Sequence, residues 1–137
     1  MSLSPLIAIH LVTALGATAV GPVALWARRT GHPARVRLHR AAGYAFTTLM
    51  LCAALSALFI RDDTLPNWHG FTAIHILIPL TLLGLWQAFR YLHKGDIAGH
   101  RRIMRQVYLG ACLVAGAFTL LPGRYLGDLV WTSLGLV

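Results

Sequence analysis

The chain has 137 residues, of which 57% are hydrophobic and 12% are charged, and its mean hydropathy is +0.65. A soluble domain carries about 25% charged residues, and a chain this short cannot bury so much apolar surface in one core. The composition therefore excludes an ordinary soluble fold and predicts an integral membrane protein. The net charge is +8, but the basic residues fall in short loops and not in one stripe, which argues against nucleic-acid binding.

Four segments are long enough to cross the membrane, because about 30 Å of hydrocarbon takes roughly 20 apolar residues in a helix. They cover residues 5–27, 38–60, 69–92 and 101–121 of a single domain, 1–137. The first is too long for a signal peptide and has no basic segment before it, so we expect an uncleaved span. Pro79 should kink the third helix or free a backbone carbonyl, Asp96 should cap the fourth, and Pro122-Gly123 should end it.

The charges of the loops predict the topology. Basic residues concentrate in the first and third loops, whereas the second loop is nearly neutral. The positive-inside rule places the basic loops in the cytoplasm and both termini outside. The expected fold is an all-α four-helix bundle, in which Cys52 and Cys112 are buried free thiols because they lie in apolar runs without a CxxC spacing.

The two halves of the chain share a pattern. In each half a tryptophan precedes a basic loop, a His-Arg pair begins the next helix, and that helix carries a tyrosine and a cysteine. The matching residues are Trp26 and Trp86, His39-Arg40 and His100-Arg101, Tyr44 and Tyr108, and Cys52 and Cys112. Two tandem hairpins related by a pseudo-twofold axis along the membrane normal would give this pattern. Any pair of helices around a basic loop shares part of it, so both explanations stay open.

Seven histidines are many for a chain with so few polar residues, and an ionisable residue in a membrane span is a functional hypothesis by default. With the predicted topology, each of the four helices offers one histidine. His10 and His75 lie in an outer layer, and His39 and His100 lie in an inner layer. Two bis-histidine haem b sites stacked across a four-helix bundle would need this arrangement, with the four histidines as iron ligands.

Residues beside these histidines point to the same cofactor. Gly43 lies four residues after His39 on the same helix face, where it would let a flat macrocycle approach the backbone. Arg40 and Arg101 directly follow the inner histidines and would neutralise haem propionates. The sequence therefore predicts one or two haem b groups, bound by the four histidines together with Gly43, Arg40 and Arg101.

The pattern of one histidine per helix resembles the cytochrome b561-type dihaem proteins, and the spacing of His39 and Gly43 is similar to the ligand–glycine motif of that family. This resemblance implies transmembrane electron transfer, with quinone or a redox protein as the partner. The chain departs from that family because its inner histidines, His39 and His100, lie close to helix starts and neither has a second histidine on the same helix.

Over most of its length the chain more closely resembles a family of small bacterial membrane proteins without an assigned function. The stretch His39-Arg40-Ala41-Ala42-Gly43 matches the HRxxG motif of that family, and residues 95–104 match its GDxxxHRxxM motif. This second resemblance implies a multi-pass protein of the bacterial inner membrane.

Two other interpretations stay open at this point. The His-Arg pairs would also bind the phosphates of membrane lipids, in a lipid-binding scaffold or a non-catalytic subunit of a larger membrane complex. Alternatively, His10, His69 and His75 would bind copper or zinc at the outer face. A homo-oligomer would complete any of these sites. The chain has no glutamate and no aspartate within a predicted span, which excludes an intramembrane carboxylate relay.

Overall fold

The computed structural model describes residues 4–27, 32–61, 67–69 and 71–135. Its helices are α1 (Pro5–Ala27), α2 (Pro33–Ala57), α3 (Leu77–His93), α4 (Ile97–Val107), α5 (Ala115–Thr119) and α6 (Tyr125–Ser133). A π-helical segment, Tyr108–Val114, joins α4 to α5, so that residues 97–119 form one continuous helix. Two paired antiparallel strands, β1 (Asn67–Trp68) and β2 (Phe71–Thr72), and a 3-10 turn, Ala73–Ile76, precede α3. The expected helical class is confirmed, apart from this short ribbon.

The ends of the first two helices follow from local sequence. Helix α1 covers the same residues as the first predicted span. Helix α2 begins earlier than expected, because Pro33 is pre-organised for the first helical position and His32 Nδ1 accepts a hydrogen bond of 3.3 Å from Ala34 N–H. His39 therefore lies in the second turn of α2 and not at its start.

The third helix differs from the prediction. Helix α3 begins at Leu77 and has 17 residues, so His75 lies in the preceding 3-10 turn. Pro79 is the third residue of α3, where a backbone N–H has no partner within the helix. The predicted kink at Pro79 is therefore wrong, and the proline inside a long helix is Pro22 of α1.

The caps of the 97–119 helix are as expected at both ends. Asp96 is its N-cap, and Asp96 Oδ1 accepts a hydrogen bond of 2.8 Å from Gly99 N–H. The helix ends at Thr119, before Pro122-Gly123, and Gly123 has a φ of +82° that suits glycine. Helix α6 then folds back on this end, where Trp131 Nε1–H donates to the Leu120 carbonyl oxygen over 2.7 Å.

The helices pack as two pairs. Helix α1 lies along α2, which we call the first hairpin, and α3 lies along the 97–119 helix, which we call the second hairpin. The π-helical segment also contacts α1, and α2 contacts α3. One buried cluster joins both hairpins: Ala17, Phe46, Met50, Leu85, Val107 and Cys112. Cys112 is a buried free thiol as expected, whereas Cys52 is an exposed one.

Within the described residues, α1 is the one helix long and apolar enough to cross a membrane. Only 11% of its most apolar stretch is buried, whereas the central helix of a soluble protein would be mostly covered. Helix α2 carries Arg35, Arg37 and Arg40 within its own first turns, and α3 is short. The other three predicted spans are therefore not supported by this criterion.

Candidate cofactor site between the two hairpins

A cavity of about 910 Å³ lies where the two hairpins meet. Its volume is within the range of about 300–1,000 Å³ that small-molecule and cofactor pockets occupy. Its wall contains the inner histidines, His39 and His100, and three more residues singled out in the sequence, Arg40, Gly43 and Arg101. The structure thus brings together the inner half of the predicted site.

Each inner histidine is held by the helix that precedes it. His39 Nδ1–H donates to the Ala24 carbonyl oxygen over 2.8 Å, and His100 Nδ1–H donates to the Ala88 carbonyl oxygen over 2.9 Å. Because a carbonyl oxygen can only accept, Nδ1 carries the proton in both rings. In the neutral imidazole, Nε2 then carries the lone pair. Metal-binding histidines are commonly oriented by a hydrogen bond of this kind.

The local sequence explains both tethers. Ala24 is one of the last four residues of α1, whose carbonyls have no donor within the helix. The small side chains of Ala24 and Ala88 let the imidazole rings approach the backbone of the preceding helix. In addition, the Phe89 ring meets the His100 ring edge-on, with centroids 6.4 Å apart. Both histidines are half-buried, so their orientation is fixed by the protein and not by solvent.

The remainder of the wall is apolar and cationic. Phe46, Phe89 and Met104 contribute apolar surface, and a Cβ built on Gly43 would have no atom within 4 Å. The cationic side chains are three exposed arginines: Arg40, Arg101 and Arg105. No described residue of the lining is an aspartate or a glutamate. An apolar ligand with anionic groups therefore matches this cavity best.

The outer histidines make different contacts. His10 Nδ1–H donates to the Ala53 carbonyl oxygen over 3.0 Å and lies 3.2 Å from Ser56 Oγ. His75 bonds through its other nitrogen, because Nε2–H donates to the Ile60 carbonyl oxygen over 3.0 Å. The lone pair of a neutral His75 is then on Nδ1, beside Cβ, where access to a metal is more crowded. The haem ligation by His10 and His75 stays a prediction.

The structure does not bring together the three residues of the copper or zinc hypothesis, His10, His69 and His75. Among the residues that the structure describes, no group of three or more histidine, cysteine or acidic side chains is placed to hold a metal ion.

Sequence reasoning missed several residues of the cavity wall, among them Thr47, Met104 and Tyr108, although their helical spacing could have identified them. His100, Met104 and Tyr108 follow a spacing of four residues and all line the cavity. His39, Gly43 and Thr47 do the same on α2. Residues spaced by four share one helix face. Continuing the His39–Gly43 spacing by four more residues predicts Thr47, and applying the same spacing from His100 predicts Met104 and Tyr108.

Together, these helices and this cavity define an α-helical protein with an apolar exterior and a pocket between two hairpins. A family model described as "Predicted membrane protein (DUF2306)" matches residues 7–124. The chain belongs to this family, which confirms the expected membership in a family of predicted membrane proteins. Every cavity residue named above lies within the matched segment, whereas α6 lies outside it. Neither the curated proteins nor the solved structures gave a match.

Proposed function

We propose that the chain is a b-type cytochrome-like electron-transfer protein that holds one haem b between His39 and His100. It would be a multi-pass four-helix bundle of the bacterial inner membrane, with both termini outside. The observation that carries the proposal is the pair of inner histidines in one cavity, each tethered through Nδ1–H to the preceding helix. This leaves Nε2 of both rings available to an iron between the hairpins.

The residues of the wall fit such a cofactor. Gly43 leaves open space where a side chain would otherwise stand, and Phe46 and Phe89 supply apolar contact. Arg40 and Arg101 would pair with the propionates through charge-assisted hydrogen bonds. Bound haem would supply one-electron chemistry, while the protein sets its ligation and its potential. The electron donor or acceptor would be quinone or a redox protein.

An absorption spectrum tests the proposal directly. Protein purified from cells supplied with haem precursor should show a Soret band, with a haem-to-protein ratio near one because the inner cavity is the supported site. His39→Ala and His100→Ala should each abolish the spectrum of low-spin haem, since each removes one of the two histidines that would hold the iron. His93→Ala is the matched control, because His93 is exposed at the end of α3, and it should leave the spectrum unchanged.

Two results would overturn the haem assignment. One is wild-type protein that purifies without a Soret band from haem-sufficient cells. The other is a band that neither inner variant alters. A ratio near two, reduced to one by His10→Ala, would instead support the outer site as well.

A second candidate function rests on the three exposed arginines, Arg40, Arg101 and Arg105, in a cavity whose described lining has no carboxylate. This arrangement also fits the headgroup of an anionic phospholipid, in a non-catalytic accessory subunit or a lipid-binding scaffold. Colourless protein that retains anionic phospholipid in native mass spectrometry would favour this function. The lipid should then be lost in the double variant Arg40→Gln, Arg101→Gln and retained in His39→Ala.

A further inference from the structure

The proline inside α1 leaves one backbone group without its helical partner. Pro22 has no N–H, so the Thr18 carbonyl oxygen, four residues earlier, lacks the donor that an α-helix would supply. In a membrane span, water is not available to replace that donor, and an unsatisfied carbonyl is costly. Some other group must therefore meet the Thr18 carbonyl.

The group that meets it comes from the second hairpin. Tyr108 Oη donates a hydrogen bond of 3.3 Å to the Thr18 carbonyl oxygen. Tyr108 is the first residue of the π-helical segment, and its ring packs against Phe46 of α2, with centroids 6.2 Å apart and planes inclined by 53°. One side chain thus contacts both helices of the first hairpin.

Gly21 makes room for this contact. A Cβ at Gly21 would lie 2.5 Å from two carbon atoms of the Tyr108 ring and 3.4 Å from the Phe46 ring. Real Cβ atoms do not approach that closely, so any other residue at position 21 would displace the tyrosine. Gly21, Phe46 and Tyr108 all line the cavity that contains His39 and His100.

We propose that Tyr108 is a positioning residue, which sets the separation of His39 and His100 by bonding the carbonyl that Pro22 leaves free. It joins the hairpin that carries His100 to the hairpin that carries His39, at the wall of the same cavity. Its effect on haem rests on the proposed function, whereas the bond itself does not.

The bond is tested by a double-mutant cycle between Pro22 and Tyr108. Tyr108→Phe removes only the hydroxyl and should lower Tm in detergent by about 4 °C, as expected for one lost interaction in a chain of this size. Pro22→Ala restores an N–H that can donate to Thr18, so Tyr108→Phe should then lower Tm by less than half as much. Tyr125→Phe, in α6 outside the cavity, is the matched control and should leave Tm unchanged.

The positioning role is tested by the haem signal. Tyr108→Phe should retain haem but shift the low-spin electron paramagnetic resonance signal, because the imidazole planes move. Gly21→Ala, which displaces the same ring, should cause a shift in the same spectrum, and Tyr125→Phe should cause none.

The outcomes separate the two proposals. Additive Tm changes in the cycle overturn the bond, whatever the spectrum shows. A non-additive cycle with an unchanged haem spectrum overturns the positioning role. Wild-type protein without haem overturns the proposed function and with it the positioning role, and the cycle alone then decides whether Tyr108 holds the two hairpins together.

Discussion

Each hairpin contains the same kind of histidine–carbonyl hydrogen bond, but the two hairpins differ in how regular their helices are. In both, a histidine near the start of the second helix donates Nδ1–H to a carbonyl of the helix before it. The first hairpin consists of two uninterrupted α-helices, and His10 adds another tether between them. The second hairpin begins in a 3-10 turn and passes through a π-helical segment. Both hairpins nevertheless line the cavity, and the π-helical segment of the second one contributes Tyr108 to its wall.

The comparison shows that residues at matching positions of the two halves can differ in burial. Tyr44 and Tyr108 occupy matching places in the two halves, but Tyr44 is 69% exposed whereas Tyr108 packs between helices. Likewise Cys52 is exposed and Cys112 is buried. The tether repeats because it depends on a local helix–loop–helix geometry. The burial does not repeat because it depends on which helix lies opposite.

The largest effect is expected at Phe46, where the two hairpins share their core. Phe46 is 2% exposed, so Phe46→Ala should lower the free energy of unfolding by about 3–5 kcal/mol, the usual cost of a large core cavity. Phe118→Ala is the comparison, because Phe118 in α5 is 52% exposed, and it should cost under about 1 kcal/mol. The measurement is denaturant unfolding in micelles, followed by tryptophan fluorescence. Equal losses would contradict a core shared through Phe46.

An intermediate effect is expected within the second hairpin, at Gly84. A Cβ there would lie 2.6 Å from Val107 Cγ2, so Gly84→Ala should cost about 1–3 kcal/mol through overpacking. Gly43→Ala is the matched variant in the first hairpin, where the Cβ meets open space. It should be neutral or stabilising by about 0.5–1 kcal/mol, because alanine is a better helix residue than glycine. If both variants behave alike in unfolding, the close packing at Gly84 is absent.

The smallest effects are expected at the two N-caps. Asp96→Ala should destabilise the second hairpin by about 1 kcal/mol, because Asp96 accepts a hydrogen bond of 2.8 Å from Gly99 N–H. His32→Ala should cost only a few tenths of a kcal/mol, since its bond to Ala34 N–H is 3.3 Å long and Pro33 already favours the helix start. Thermal unfolding in detergent measures both. If His32→Ala costs more stability than Asp96→Ala, the stronger cap belongs to the first hairpin and not to the second.

The sequence by itself determined the helical class, the membrane character and the caps, because these depend on composition and on neighbours within a few residues. Asp96 caps the start of the 97–119 helix, and Pro122-Gly123 follows its end, as their chemistry dictates. Pro79 was misjudged because its effect depends on where α3 begins, and a short ribbon and a 3-10 turn moved that start.

Only the tertiary structure decided which histidines share a cavity and which nitrogen each one has available. His39 and His100 line the same cavity because the hairpins pack where Tyr108 contacts Gly21 and Phe46, and Tyr108 is far from both of these residues in sequence. The tertiary structure also decides which nitrogen of His75 is bonded. Nε2–H donates to the Ile60 carbonyl oxygen because that carbonyl lies opposite it. The contact of Tyr108 with Thr18 spans 90 positions of the chain, and no local pattern specifies such a pair.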